Sequence, residues 1–362
     1  YTSGTTGRPK GVRLPHSAWT YEAAAVDAVQ ILSEDDLQYL WLPLAHVFGK
    51  LLLMLPLQMG FATAVDGRVD KIVPNLAVVK PTFMGAAPRI FEKAYGRIST
   101  MMADEGGVKA KLFGWASGVG KEVAEVRAGG AEPGGLLAVQ HRLADKLVLS
   151  KIRDRFGGRI RFFISGSAAL NPDIGRWFDA MGLIIIEGYG LTESSGMITG
   201  NAVDDVKVGT VGPICEGVEY RIADNGELHV RGDIVFAGYY KNPEATADTV
   251  RDGWLHTGDV ATLVGRHIKI VDRLKDIMIT AGGKNITPSE IENTMKASPY
   301  IKECMVVAEG RRFVSALVQI DSETVGKWAE ARRIAFTHFR SLVETPHPDW
   351  PWTRQPTRSP PG

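Results

Sequence analysis

The stretch from Ile160 to Ile186 constrains the fold more than any other. Ile160 to Ile164 is an apolar run of strand length. Asn171-Pro172 follows it, a side chain suited to cap a helix ahead of a proline suited to the first helical position. Gly182 ends that helix before a second apolar run, Leu183 to Ile186. Strand, capped helix and buried strand predict a β-α-β unit, and therefore a parallel sheet.

The rest of the chain divides around that unit. A single core rarely grows past about 250–300 residues, so 362 residues imply more than one domain. The expected class is α/β: a parallel α/β subdomain plus a small β-barrel-like subdomain, followed by an incomplete small α+β C-terminal domain. Residues 1–206 form the α/β part, opening with a helix from His16 to Leu32 and carrying a helical insert at 107–155. In that insert Val139, Leu143, Leu147, Ile152 and Phe156 recur near helical spacing. Arg142, Lys146, Lys151, Arg153 and Arg155 occupy other positions, a plain solvated face or one that touches an anionic bilayer. Residues 207–272 change to short β-rich runs broken by glycine. Residues 273–337 read as a partial small domain, and 338–362, rich in Pro, Arg and Trp, as an unstructured tail.

Charge excludes some partners. With 42 Lys+Arg against 41 Asp+Glu, no overall field recruits nucleic acid or an anionic membrane, so any such contact must be local. Cys215 and Cys304 lack metal-ligand spacing and fit a reducing compartment, so the expected address is cytoplasmic, with peripheral contact at the inner face of the membrane through the insert. No protein partner is evident. The apolar stretch Leu51 to Val65 is broken by Pro56 and falls short of the ~20 residues a spanning helix needs. The first residue is not Met and no leader pattern follows, so a piece of a longer protein is expected.

Four segments carry the candidate chemistry. Tyr1 to Gly11 packs the hydroxyls of Thr2, Ser3, Thr5 and Thr6 with Gly4, Gly7 and Gly11, and includes Lys10. Glycines let backbone N–H groups approach phosphate oxygens, hydroxyls donate further bonds, and the lysine supplies charge. The spacing is not that of the Walker loop. Gly188-Tyr-Gly-Leu-Thr-Glu-Ser194 follows the second strand, at the carboxyl end where open α/β sheets bind ligands. Gly253-Trp-Leu-His-Thr-Gly-Asp259 and Asp272-Arg-Leu-Lys-Asp-Ile277 come next, the latter leading through Gly282-Gly-Lys-Asn285 to Glu292.

In this order the motifs resemble those of the adenylate-forming superfamily of acyl-CoA synthetases and luciferases. The resemblance implies ATP, Mg²⁺ and CoA as ligands. Thr2 to Gly7 and Lys10 would hold the phosphates, Tyr189 and Gly190 the adenine, Thr192 the α-phosphate and Glu193 the metal. Asp259 would take the ribose hydroxyls and Arg273 the nucleotide. Lys275 would be a hinge, and Gly282, Gly283 and Lys284 would enter the site after rotation about it. Ser165 to Leu170 resembles the wall between nucleotide and acyl pockets, which assigns Ser167 to the nucleotide and Gly166 and Ala168 to the acyl substrate. His46, in Leu42 to Gly49, would line the acyl site. The segment Pro88 to Lys93 followed by a helical insert resembles the long-chain fatty-acid–CoA ligase branch, similar to actinobacterial members.

The resemblance extends from Tyr1 to about Ala335 and covers the central part of a family member. The terminal Gly-Lys of the family is not matched, because Gly326-Lys327 comes too early. The expectation is a chain truncated at both ends, with a tail that reads as unrelated sequence. The alternatives to a CoA ligase are a fatty acyl-AMP ligase and a non-catalytic remnant lacking the catalytic lysine.

Overall fold

Period-two alternation along the strands builds the core of the protein. The structure, a computed structural model, describes residues 1–2 and 8–344. It divides into two units, Tyr1–Met278 and Ile279–Gly362. In the first, β1 (Leu37–Leu40), β2 (Ala62–Val65), β3 (Phe83–Ala86), β4 (Phe162–Ser165), β5 (Ile184–Tyr189) and β6 (Thr199–Gly200) form one sheet in the order β2-β1-β3-β4-β5-β6. All pairs are parallel except β5 with β6.

Successive strand residues point to opposite faces, and both faces are apolar. Tyr39, Met84, Phe163 and Ile185 pack on one side with Phe91 and Phe178, from helices Pro88–Glu105 and Pro172–Ala180. Leu40, Phe83, Phe162 and Ile186 pack on the other, against Leu51, Leu52 and Leu55 of helix Val47–Met59 and Ala23 and Val26 of helix His16–Ala28. Truncating a fully buried phenylalanine such as Phe162 or Phe163 costs about 3–5 kcal/mol.

The β-α-β unit forms where the sequence places it. Asn171 Oδ1 accepts the Asp173 N–H at 2.8 Å, and Gly182 takes a left-handed conformation after the helix. Strand β5 runs on to Tyr189, past the apolar run, because Tyr189 pairs with Thr199 of β6. The helix from His16 stops at Ala28 rather than Leu32. Gln30 there has φ 57°, and its N–H bonds back to the Asp27 carbonyl.

The insert is helical, as Gly107–Ala128, Gly135–Ala144 and Ser150–Arg155. A π-turn at Asp145–Leu149 lies between the last two. The wider turn shifts the phase of the apolar positions. Ile152 is consequently buried, whereas Leu136, Val139 and Leu143 form an exposed ridge, with Leu136 73% accessible. The expected single apolar face is therefore split. No helix among the described residues is long and apolar enough to cross a membrane.

Residues 219–273 form an antiparallel sheet of β7 (Glu219–Ile222), β8 (Glu227–Arg231), β9 (Val250–Arg251), β10 (Trp254–Val264) and β11 (His267–Arg273). Its order is β11-β10-β8-β7, with β9 on β10. Leu228, Val230, Ile234, Leu255 and Ile268 fill its core, and Tyr189 and Tyr21 pack against them. The segment after Asp272 stays with this sheet: Asp259 carboxylate pairs with Arg273, and the Leu274 N–H bonds the Gly258 carbonyl at 2.8 Å.

In the second unit, strands Ile301–Val307 and Ser315–Ile320 pair antiparallel. Helices Pro288–Lys296, Ser322–Ala331 and Phe339–Glu344 accompany them. The last helix replaces the start of the tail expected from His338 with an ordered turn, while residues 345–362 of that tail lie outside the described residues. Leu342 is buried with Val325 and Ala329, an apolar anchor in a segment whose composition alone argued for none.

Candidate active site

The phosphate-type loop is closed at its neck. The Thr2 N–H donates to the Lys10 carbonyl at 3.0 Å, and the Lys10 N–H to Thr2 Oγ1 at 3.2 Å. Ser3, Gly4, Thr5, Thr6 and Gly7 lie outside the described residues. The chain leaving the loop is tied to the segment 237–240: the Tyr240 N–H meets the Gly11 carbonyl at 2.7 Å, and the Ala237 N–H meets that of Arg13 at 2.9 Å.

That tie brings Lys10 over Tyr239, which in turn holds Glu193. Lys10 Nζ stands 4.6 Å from the centroid of the Tyr239 ring, and Tyr239 Oη donates to Glu193 Oε1 at 2.6 Å. Burial, then the bond to Glu193, pushes the Tyr239 phenol well above its ordinary value, so it stays a donor. The Phe236 N–H also holds the Glu193 carbonyl at 2.9 Å. Glu193 lies in a 3₁₀ turn, Thr192–Ser194, with Thr192 half-buried beside it.

Four residues earlier the same motif builds a second cluster. Tyr189 Oη donates to Asp259 Oδ2 at 2.6 Å, and Arg273 Nε reaches Asp259 Oδ1 at 2.8 Å. Burial raises the Tyr189 phenol strongly, with the nearby Asp259 adding to it. Burial also raises the Asp259 carboxyl against the opposing pull of Arg273 and of the Tyr189 hydrogen bond. Gly190 connects the clusters and must be glycine, because a Cβ there would stand 2.2 Å from the Gly196 carbonyl oxygen.

Gly166 and Ser167 follow the end of β4, with Ser167 at φ 71° and Ala168 exposed. Phe48 packs against Gly166, 3.4 Å from where a Cβ would sit, and also approaches Gly85. His46, by contrast, is exposed at the start of helix Val47–Met59. Phe48 is the aromatic of that segment that faces the wall.

The hinge-type residues divide between the units. Arg273 and Lys275 belong to the first, and Lys275 is exposed. Gly282, Gly283 and Lys284 belong to the second, in an exposed turn closed by Thr280 N–H to the Lys284 carbonyl at 3.0 Å. Lys327 sits within helix Ser322–Ala331, its Nζ 2.6 Å from Glu323 Oε1.

Tyr239, Phe48 and Glu227 were not singled out from sequence. Tyr239 had one signal, its place in the Tyr-Tyr pair after Gly238, but its partners Lys10 and Glu193 are far away in the chain.

Comparison with known proteins identifies the family to which these motifs belong. The AMP-binding enzyme family matches residues 1–240, and the AMP-binding enzyme C-terminal domain matches residues 275–345, past the Ala335 at which the resemblance was expected to end. The long-chain-fatty-acid–CoA ligase FadD15 of Mycobacterium tuberculosis is 38% identical over 333 residues, 91% of this chain and 55% of that protein. The peroxisomal long chain acyl-CoA synthetase 6 of Arabidopsis thaliana is 34% identical over 365 residues, 96% of this chain and 51% of its own. The chain thus spans about half the length of the curated relatives it matches. Among solved structures, ATP-bound MatB from Rhodopseudomonas palustris is 27% identical with a TM-score of 0.65, covering 94% of this chain and 62% of that one. Motifs, fold and relatives agree, and the chain belongs to the AMP-binding enzyme family.

Proposed function

We propose that the protein activates a long-chain fatty acid with ATP and passes it to CoA. The observation that carries this reading is the pair of clusters joined by one motif, Lys10–Tyr239–Glu193 and Tyr189–Asp259–Arg273. The first combines a cation and a carboxylate beside a Gly/Thr loop, as a polyphosphate requires. The second offers a buried carboxylate that accepts hydroxyl protons, beside an aromatic ring and a guanidinium. The relatives named as long-chain-fatty-acid–CoA ligases favour a fatty acid as the carboxylate.

In the first half-reaction a carboxylate oxygen attacks the α-phosphorus of ATP, the bond to pyrophosphate breaks, and an acyl adenylate forms. Lys10 offsets charge on the phosphates, Thr192 donates to the α-phosphate, and Asp259 and Arg273 orient the nucleoside. Thr2, Ser3, Gly4, Thr5, Thr6 and Gly7 cradle the remaining phosphate oxygens. Glu193 fits Mg²⁺ chemically: it is a half-exposed carboxylate, a hard oxygen donor of the kind that shares the ion with substrate phosphates. Bound there, the ion would supply charge neutralisation on the triphosphate.

In the second half-reaction the CoA thiol attacks the acyl carbonyl and AMP leaves. Lys275 is the pivot, and Gly282, Gly283 and Lys284 enter the site with CoA. Ser167 borders the nucleotide, Gly166 and Ala168 border the acyl chain with Phe48, and His46 stands at its entrance. The exposed ridge Leu136, Val139 and Leu143, flanked by exposed Arg142 and Lys146, suits contact with an anionic bilayer at the cytoplasmic face, where such a substrate dissolves.

Mass spectrometry after incubation with palmitate, MgATP and CoA tests the reading. Palmitoyl-CoA is expected. Adenylate without thioester would instead indicate a fatty acyl-AMP ligase, and neither product would overturn the proposal.

A further inference from the structure

We infer that Glu227, oriented by His229, is a positioning residue that aims the Asp259 carboxylate, an inference that rests on the nucleotide-binding reading above. Asp259 does not sit in a regular strand. In the β8–β10 ladder His256 lies opposite His229 and Val260 opposite Glu227. Three residues of β10, Thr257 to Asp259, therefore face one of β8, Leu228. Such a bulge re-aims side chains, and it leaves backbone groups that need partners.

Partners from outside the ladder meet several of those groups. Thr257 Oγ1 donates to the Leu228 carbonyl at 2.7 Å and accepts the Asp259 N–H at 3.1 Å. At the apex Gly258 has φ 71°. Its carbonyl is held by the Leu274 N–H, and its N–H donates to Glu227 Oε1 at 2.9 Å. The Glu227 carboxylate is the one side chain holding the apex N–H, and the next residue is Asp259.

Glu227 is itself fixed. Its Oε2 lies 2.9 Å from His229 Nε2 and 3.6 Å from His256 Nδ1. Arg221 Nε donates to His229 Nδ1 at 3.2 Å. That bond makes Nδ1 the acceptor, so Nε2 carries the proton and points it at Glu227. The same tautomer argues against a metal, although Glu227, His229 and His256 lie close enough to suggest one. A ligand at Nε2 would force a proton onto Nδ1, facing the Arg221 donor.

The experiment measures equilibrium binding of ATP and of 2′,3′-dideoxy-ATP, with thermal melting as a control. Glu227→Ala is expected to weaken ATP about tenfold and to lose most of the preference for ATP over the dideoxy analogue. In an Asp259→Asn background the same change should cost less than about twofold, because both act through one carboxylate. His229→Leu should lose part of the preference, and His229→Gln, which keeps a donor, should restore it. These readouts do not depend on the stability of any single variant.

Full additivity of Glu227→Ala with Asp259→Asn would overturn the inference. A Glu227→Ala protein that keeps the ribose preference while Asp259→Asn loses it would also overturn it, leaving the reading of Asp259 intact. Asp259→Asn with an unchanged preference would bring down that reading and the inference with it. Tightening of ATP binding by added Zn²⁺ in the wild type, abolished by His256→Ala, would replace the positioning role with a metal site.

Discussion

Tyr189 and Asp259 are 70 residues apart in the chain, yet the phenol of one donates to the carboxylate of the other at 2.6 Å. The bond crosses from the end of the parallel sheet to the antiparallel sheet, and Arg273 closes on the opposite carboxylate oxygen. Tyr189→Phe keeps the ring and removes the donor. It should weaken ATP binding about two- to tenfold, as expected for one hydrogen bond to a charged group. Asp259→Asn should do more, since it removes the charge that Arg273 faces. Isothermal titration with ATP measures both, and equal affinities for wild type and Asp259→Asn would contradict the assignment.

Glu193 and Tyr239, which links it to Lys10, should separate by mechanism. Tyr239 touches Glu193 and Lys10, through a hydrogen bond on one side and its ring face on the other. Glu193→Gln keeps an acceptor for Tyr239 but removes the negative charge. Thioester formation is then expected to fall about 100-fold or more and to need a higher Mg²⁺ concentration. Tyr239→Phe, which retains the ring under Lys10, should lose about tenfold without changing the Mg²⁺ requirement. A Mg²⁺ titration of initial rates distinguishes them, and an unshifted titration for Glu193→Gln would remove this residue from the metal's ligands.

Much of this was legible beforehand because the chemistry is local. Gly188 to Ser194 announces a strand end carrying an aromatic, a hydroxyl and a carboxylate, and Asn171-Pro172 announces its helix. What stayed hidden is what packing decides. Nothing in the segment 236–240 points to Lys10 or Glu193, because their meeting depends on backbone pairing between segments at opposite ends of the first unit. His46 looked like the chemical residue of its segment, but as the first turn of helix Val47–Met59 winds, it presents Phe48 to Gly166. In the insert, the π-turn breaks the period by which the apolar face was counted. The last short helix has a buried contact, Leu342 with Val325 and Ala329, that composition does not announce.

Glu22 gives the protein a pH-dependent stability with a definite sign. It is fully buried on helix His16–Ala28; Oε1 accepts the Met197 N–H at 2.9 Å, and Oε2 has no partner among the described residues. Burial pushes its carboxyl up from 4.5 to about 8, with the Met197 bond opposing. Between those values the folded state holds a proton that the unfolded chain has released. Stability from this group is therefore complete below about pH 4.5 and is lost as pH rises toward 8, by up to about 1.4 kcal/mol per pH unit. Glu22→Gln keeps an acceptor for Met197 and cannot ionise. Its melting temperature should exceed that of the wild type at pH 8 and converge with it toward pH 5. Parallel melting curves across that range would sink the argument.

The exposed ridge on helix Gly135–Ala144 makes the last prediction. Leu136, Val139 and Leu143 follow one another at three- and four-residue intervals, so they share a stripe about 10 Å long. Val139 and Leu143 are 59% and 50% accessible, and Arg142 and Lys146 flank them. Each large apolar side chain moved from water into a bilayer interface contributes on the order of 1–2 kcal/mol. Removing all three should weaken partitioning by well over tenfold. Cosedimentation with phosphatidylglycerol-containing vesicles is expected to pull down the wild type, less so at high salt as Arg142 and Lys146 are screened. The variant carrying Leu136→Ser, Val139→Ser and Leu143→Ser should remain in the supernatant. Reversing Arg142 and Lys146 to glutamate should abolish the preference for anionic over zwitterionic vesicles while leaving the apolar contribution. A wild type that ignores vesicles, or a triple variant that binds as well, would return this face to an ordinary solvated helix or to contact with other protein.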